Sequence, residues 1–157
     1  MATKHVRQQI REALVTALTG LTTTGSNVFN GRPEDQELQT TELPALLIDT
    51  IEGGDINSLS MGGVSRIIER QLIITITGAV KANSGYLDTL DDIFKEVETA
   101  LAASVSANTL GGLVKYINPT AEPQVEISGE ADKIIARASQ PFVAPYITAL
   151  NSPINAL

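Results

Sequence analysis

The stretch RIIERQLIITITGAV, Arg66 to Val80, alternates with a period of two. Leu72, Ile74, Ile76 and Val80 point one way, and Glu69, Gln71, Thr75 and Thr77 point the other. A segment of this pattern is a long strand with one buried and one exposed face, so the fold must be built around a sheet.

The remaining elements follow from the same kind of reading. In TKHVRQQIREALVTALTGL the apolar residues Val6, Ile10, Ala13, Leu14, Ala17, Leu18 and Leu21 recur at helical spacing, which predicts a helix over residues 4–19, stopped by Gly20 and TTTG. NVFNGR is a short strand candidate, and LPALLIDTIEG, Leu43 to Gly53, is a near-continuous apolar run suited to a buried strand. GGDINSLSMGGVS, bracketed by two glycine pairs, reads as a long hairpin loop over residues 53–65. SGYLDTLDDIFKEVETALAA returns to helical period, with Tyr86, Leu87, Leu90, Ile93, Phe94, Val97 and Leu101 on one stripe and Asn83 or Ser84 as the N-cap. SVSANTLGGL links onward. PQVEISG and DKIIARASQPFVAPYITAL then form two strands joined by a tight turn at Gly129–Glu130. Pro141 and Pro145 lie in the second, which predicts a strand at a sheet edge or one broken there.

The order is helix, three strands, helix, two strands. It predicts an α+β fold: a mixed, largely antiparallel sheet with two main helices packed on one face. The 157 residues suit a single domain over residues 1–150 with a C-terminal tail at 151–157.

Composition removes several classes of function. Lys and Arg number 11 against 18 Asp and Glu, a net charge of −7, which disfavours sequence-independent DNA binding through phosphate neutralisation. It does not conflict with a protein that lies beside DNA without adhering. The lack of cysteine excludes disulfides, thiolate metal sites and thiol nucleophiles. No apolar run follows the basic residues of MATKHVRQQI as in a secretory signal, and no window reaches the length of a membrane span. With three Phe, three Tyr and no Trp, little is left to build a stacking pocket for bases or sugars.

The candidate chemistry is sparse. Asp88, Asp91 and Asp92 in LDTLDDIF stand at i, i+3 and i+4, a spacing that could share a divalent metal in a hydrolase. The apolar stripe lies on the opposite face, however, so these carboxylates point to water, where a hard cation keeps its hydration shell. At the start of a helix they also complement the macrodipole, and Lys95 can pair with them. The glycine-bracketed loop lacks the Lys-Ser/Thr of a phosphate loop and the G-x-G-x-x-G of a dinucleotide site. Its residues Gly53, Gly54, Asp55, Ile56, Asn57, Leu59, Met61, Gly62 and Gly63 are instead candidates for a loop that orders on a partner. His5, the single histidine, stands beside Lys4 and Arg7 with no triad partners placed by sequence. No catalytic, cofactor or metal site is expected.

Four stretches taken in order resemble the tail terminator proteins of long-tailed bacteriophages, the lambda minor tail protein U-like family. VRQQIREALVTALTGLTTTGSNVF is similar to that family's opening helix, turn and strand, and ELPALLIDT to its Leu-Pro-x-Leu strand. RQLIITITGAVKANSGYLDTLDDIFKEVETAL is the most specific of the four: a strand ending in Ala-Val, a short turn, and an acidic helix. LGGLVKYINPTAEPQVEISGEADKIIARASQPFVAPY resembles the closing hairpin, with the departure that Pro141 and Pro145 interrupt its last strand.

The resemblance implies a virion structural protein and no enzyme. It implies a hexameric ring that caps the tail tube, stops its polymerisation and presents a surface to the head–tail connector protein. Its location would be the head-proximal end of the tail, reached by assembly in the host cytoplasm, with DNA passing through unbound and no membrane contact. A head–tail connector or tail tube protein is the alternative within the same class. A metal-dependent hydrolase using Asp88, Asp91 and Asp92 is the alternative from another.

Overall fold

The computed structural model describes residues 3–32, 37–59, 66–103, 109–129 and 134–157. Helix α1 (Val6–Leu18) is followed by strands β1 (Val28–Asn30), β2 (Ala45–Ser58) and β3 (Ile67–Lys81), and then by helix α2 (Tyr86–Ala103). The last third supplies β4 (Asn118–Pro119), β5 (Gln124–Ser128), β6 (Ile135–Ala149) and β7 (Ser152–Ala156). The seven strands form one sheet of order β1-β2-β3-β6, with β4, β5 and β7 pairing along the other side of β6. Only the β1–β2 pair is parallel. The fold is therefore α+β with a mixed, largely antiparallel sheet, as the sequence predicts.

Both helices pack on one face. Val6, Ile10, Leu14 and Leu18 of α1 are fully buried, at the spacing the periodicity sets. Leu90, Ile93, Phe94, Val97 and Leu101 of α2 join them against Leu72, Ile74, Ile76 and Val80 of β3. Gly78 allows the close approach of α2, since a Cβ there would stand 3.2 Å from Ile93 Cγ2. Leu87, expected on the buried stripe, is 52% exposed instead. It stands at the margin of the stripe, while Tyr86 beside it packs on the core. On the helix-free face Leu38, Ala45 and Ala79 form a smaller cluster with Phe29, Leu43, Leu47 and Ile135.

Pro141 and Pro145 neither sit at the sheet edge nor break their strand. β6 runs unbroken for 15 residues through the middle of the sheet, against β3 over its whole length. The explanation is parity. In an antiparallel ladder a residue's N–H and C=O point to the same neighbour, and the neighbour alternates along the chain. The Pro141 carbonyl accepts from the Thr120 N–H and the Pro145 carbonyl from the Lys115 N–H, so both prolines point away from β3. Four residues apart, they share one side of the strand, the side where the neighbours are short and discontinuous. A missing N–H there removes no bond to β3.

The first part of the long hairpin loop expected from Gly53 to Ser65 is strand, from Gly53 to Ser58. β2 continues to Ser58, because β3 is held in place by β6 and presents Arg70, Glu69 and Ile68 as partners for Ile56, Asn57 and Ser58. Between Glu52↔Leu72 and Ile56↔Arg70 the register shifts: three residues of β2 oppose the single Gln71. Gly53 and Gly54 absorb this bulge, Gly54 at φ 93° and Gly53 so close to Gln71 that a Cβ would lie 3.2 Å from that residue's own Cβ. Met61, Gly62 and Gly63 lie outside the described residues. So does Glu130 of the tight turn expected at Gly129; β5 ends at Ser128 opposite Ile135, the first residue of β6.

Two strands were not expected. Ser152–Ala156, read from the sequence as a tail, pairs with β6 as β7 and accepts a bond at the Ile154 carbonyl from Gln9 of α1. β4 comes from the link after α2, where Leu110, Val114 and Ile117 are also buried in the core.

Candidate functional site

Asp88, Asp91 and Asp92 lie on the solvent side of α2 and are all exposed. Lys95 pairs with Asp92 at 3.3 Å. Among the described residues no group of three or more His, Cys, Asp or Glu side chains could hold a metal ion.

The structure draws attention to the β2 bulge instead. Glu52, the last residue in register before the bulge, points to the helix face, where Tyr146 of β6 donates its hydroxyl to Glu52 Oε1 at 2.8 Å. Arg7 of α1 donates to the same oxygen at 3.3 Å. Arg70 of β3, opposite Ile56, reaches His5 Nε2 at 3.1 Å. A cleft of about 110 Å³ opens between Arg7, Glu52, Gly54, Ile56 and Arg70.

The electrostatics of this cluster follow from its composition. His5 Nδ1 stands 3.2 Å from the Arg7 amide nitrogen and Nε2 3.1 Å from Arg70. Both neighbours only donate, so a neutral ring satisfies one of them and a protonated ring neither. Burial, then the charges of Arg7 and Arg70, accordingly hold the His5 pKa below its ordinary value, with Glu52 opposing. Burial and the bond to Glu52 push the Tyr146 phenol up to about 12. The arrangement holds a neutral imidazole, a neutral phenol, one carboxylate and two guanidiniums. These charged and hydrogen-bonding groups suit recognition of a charged partner.

A larger hollow of about 390 Å³ lies on the helix-free face, lined by Arg32, Asp49, Thr77, Arg137, Ser139 and their neighbours. Thr77 and Ser139 share a hydroxyl bond of 2.8 Å on its floor. Arg32 is held in its wall by Glu42 at 3.0 Å and stacks over Phe29.

Sequence reasoning placed Gly53, Gly54, Asp55, Ile56 and Asn57 together, and the structure arranges them along and beyond the bulge. It missed Arg7, Glu52, Arg70 and Tyr146. The positions in these contacts are separated by 45 to 94 residues, with no local signal to join them.

The described residues define an α+β domain with one open seven-stranded sheet, a two-helix layer on one face and a charged cleft at a β-bulge. No helix among them is long and apolar enough to cross a membrane. No family model matches the chain, and no curated protein does. Among solved structures the chain is similar to a chain of the "Virion of native gene transfer agent (GTA) particle", at 18% identity over 92% of each chain with a TM-score of 0.45. So distant a likeness assigns no role to any residue.

Proposed function

We propose that the protein is a virion structural subunit and, more finely, a tail terminator. It caps the tail tube as a hexameric ring, stops tube polymerisation and presents a surface to the head–tail connector. The four-part sequence resemblance supports the family. The observation that carries an assembly role is the apolar outer edge of β2. β1 ends opposite Ile48, so Thr50–Asn57 have no neighbouring strand on that side among the described residues. There Ile51 is 65% and Ile56 61% exposed, and Leu59 just beyond is 52% exposed.

Exposed apolar side chains along an unpaired strand edge are a template for association. In this reading the bulge and the residues that follow it meet the tube, with Gly53, Gly54, Asp55, Ile56, Asn57, Leu59, Met61, Gly62 and Gly63 as the contacting segment. The single domain, read over residues 1–150 and completed by β7, forms the ring subunit, acting without catalysis. It resides at the head-proximal end of the tail, and its net charge of −7 lets DNA pass without adhering.

Electron microscopy of the protein mixed with growing tail tubes tests this. The expected result is one ring at a tube end and arrested growth. Ile56→Ser with Leu59→Ser, checked for folding by circular dichroism, loses capping. Tubes that grow normally in the presence of the wild-type protein sink the reading. A protein that polymerises alone into tubes is a tube protein instead.

A further inference from the structure

Charge is distributed unevenly over the helix layer. Around the start of α1, Arg7, Arg11 and Arg70 all act on His5, with Glu52 the one carboxylate among its neighbours. On α2 the balance reverses. Asp88, Asp91, Asp92 and Glu98 are exposed, and Lys95, the helix's single cation, is spent on Asp92. Asp88 and Asp91 have no ion pair among the described residues.

The basic end is also a shaped site. Arg7 and Arg70 line the cleft of about 110 Å³ at the bulge, enough room for one or two carboxylates with their stems. The Arg70 Nε–H finds no acceptor among the described residues, so the guanidinium keeps donor capacity that its contact with His5 does not use. The Arg7 side chain is 41% exposed, so its outer N–H groups remain free to donate. Ile56, 61% exposed, supplies an apolar rim.

We infer that this cleft receives the acidic start of α2 from a second copy of the chain, with Asp88 and Asp91 as the carboxylates that Arg7 and Arg70 bind. Both halves of the contact lie on one chain and are complementary in sign: two guanidiniums stand against the single Glu52 carboxylate in the cleft, and Asp88 and Asp91 have no ion pair on α2 among the described residues. That is why a second copy fits better than an unrelated acidic partner. The two patches differ, so the contact is heterologous: each subunit donates α2 to one neighbour and its cleft to the next, and the series closes into a ring or runs on as a filament. The opposed signs also set the order of assembly, since cleft against cleft and α2 against α2 both repel. The inference deepens the ring reading above by naming the subunit contact, but it does not require a tail tube.

Sedimentation velocity and native mass spectrometry on the full chain test it. The wild type associates, and Asp88→Asn with Asp91→Asn weakens association by at least about tenfold. These substitutions sit on a solvent face, so the fold, checked by circular dichroism, is preserved. In a second arm, Arg7→Glu and Asp91→Arg each leave monomers, and their equimolar mixture re-associates, because every mixed contact again joins opposite charges. An Asp88→Asn/Asp91→Asn protein that associates like the wild type overturns the inference. So does a wild type that stays monomeric at every concentration, or a mixture that never re-associates. If rings form through this contact and tubes still grow in their presence, the capping proposal falls and this one stands. If the double Asn variant caps tubes as well as the wild type, this one falls and capping stands.

Discussion

Tyr146, fully buried in β6, donates its hydroxyl to Glu52 at 2.8 Å across a sequence separation of 94 residues. The bond ties the strand at the centre of the sheet to the residue before the β2 bulge, and Arg7 brings α1 to the same carboxylate oxygen. Tyr146→Phe keeps the packing and removes only the hydroxyl. Glu52 is 33% exposed and can rehydrate, so the expected loss is near the low end for a bond to a charged acceptor, about 1.5 kcal/mol. A denaturant midpoint that moves down at constant slope is the readout.

The same residue predicts alkaline behaviour. Burial, reinforced by Glu52, raises the phenol from 10.0 to about 12. Between those values the folded protein keeps a proton that the unfolded chain has lost. Stability is therefore intact below pH 10 and falls as pH rises through about 12. Tyrosinate absorbance should show one late-titrating phenol that disappears in Tyr146→Phe; if the late step survives that substitution, the assignment is wrong.

His5 predicts the acid side. Its pKa is lowered from 6.5, by burial first and by Arg7 and Arg70 next, so the unfolded chain takes up the proton more readily than the folded one. Its contribution is fully present above the unfolded value and is lost as pH falls through the lower, folded one. Unfolding midpoints measured from about pH 7.5 to 5 should decline more steeply for the wild type than for His5→Asn, which keeps a capping side chain without the titration. Equal slopes would refute the role given to His5.

Gly78 is where α2 comes closest to β3. A Cβ there meets Ile93 Cγ2 at 3.2 Å and Leu90 and Phe94 at 3.6 Å. Gly78→Val, despite its higher strand propensity, should destabilise by about 1–3 kcal/mol through overpacking. Thermal unfolding checks this, and a variant as stable as the wild type would show that α2 can shift at little cost.

The prolines of β6 give a test of parity. Val143, like Pro141 and Pro145, points its N–H away from β3, whereas Ala144, opposite Leu72, points its N–H toward β3. Ala144→Pro should cost at least about 3 kcal/mol, by deleting a central ladder bond and forcing the ring against β3. Val143→Pro should cost less, since its N–H faces Asn118 of the two-residue β4 and no bond to β3 is lost, and equal losses would show that the side of the strand does not matter.

Much of the fold was legible because it rests on short-range periodicity. The stripe from Val6 to Leu18 and the alternation from Leu72 to Val80 each declare their buried face within a few residues, and those apolar residues are buried as read; Thr77, read on the exposed face, is buried too, where it bonds Ser139 on the helix-free side. The exposure of Asp88, Asp91 and Asp92 followed equally from the apolar stripe opposite them. β4 and β7 were not legible: Asn118–Pro119 is too short to carry a pattern, SPINA holds a proline and too little alternation of apolar residues to read, and both pair because β6 offers them an edge.

The sequence by itself determined the α+β class, the two-helix layer and the face each helix buries, because hydrophobic periodicity acts between residues a few positions apart. Tertiary structure alone decided the rest. It put a proline-bearing strand at the centre of the sheet, because the missing N–H groups fall on the side where the ladder is already interrupted. It turned half of an expected loop into strand, because β3 was already held by β6 and could template it. It also gathered Arg7, Glu52 and Arg70 at one charged cleft, with His5 and Tyr146 bonded to them. Those contacts depend on sheet register, which no local stretch of the chain encodes.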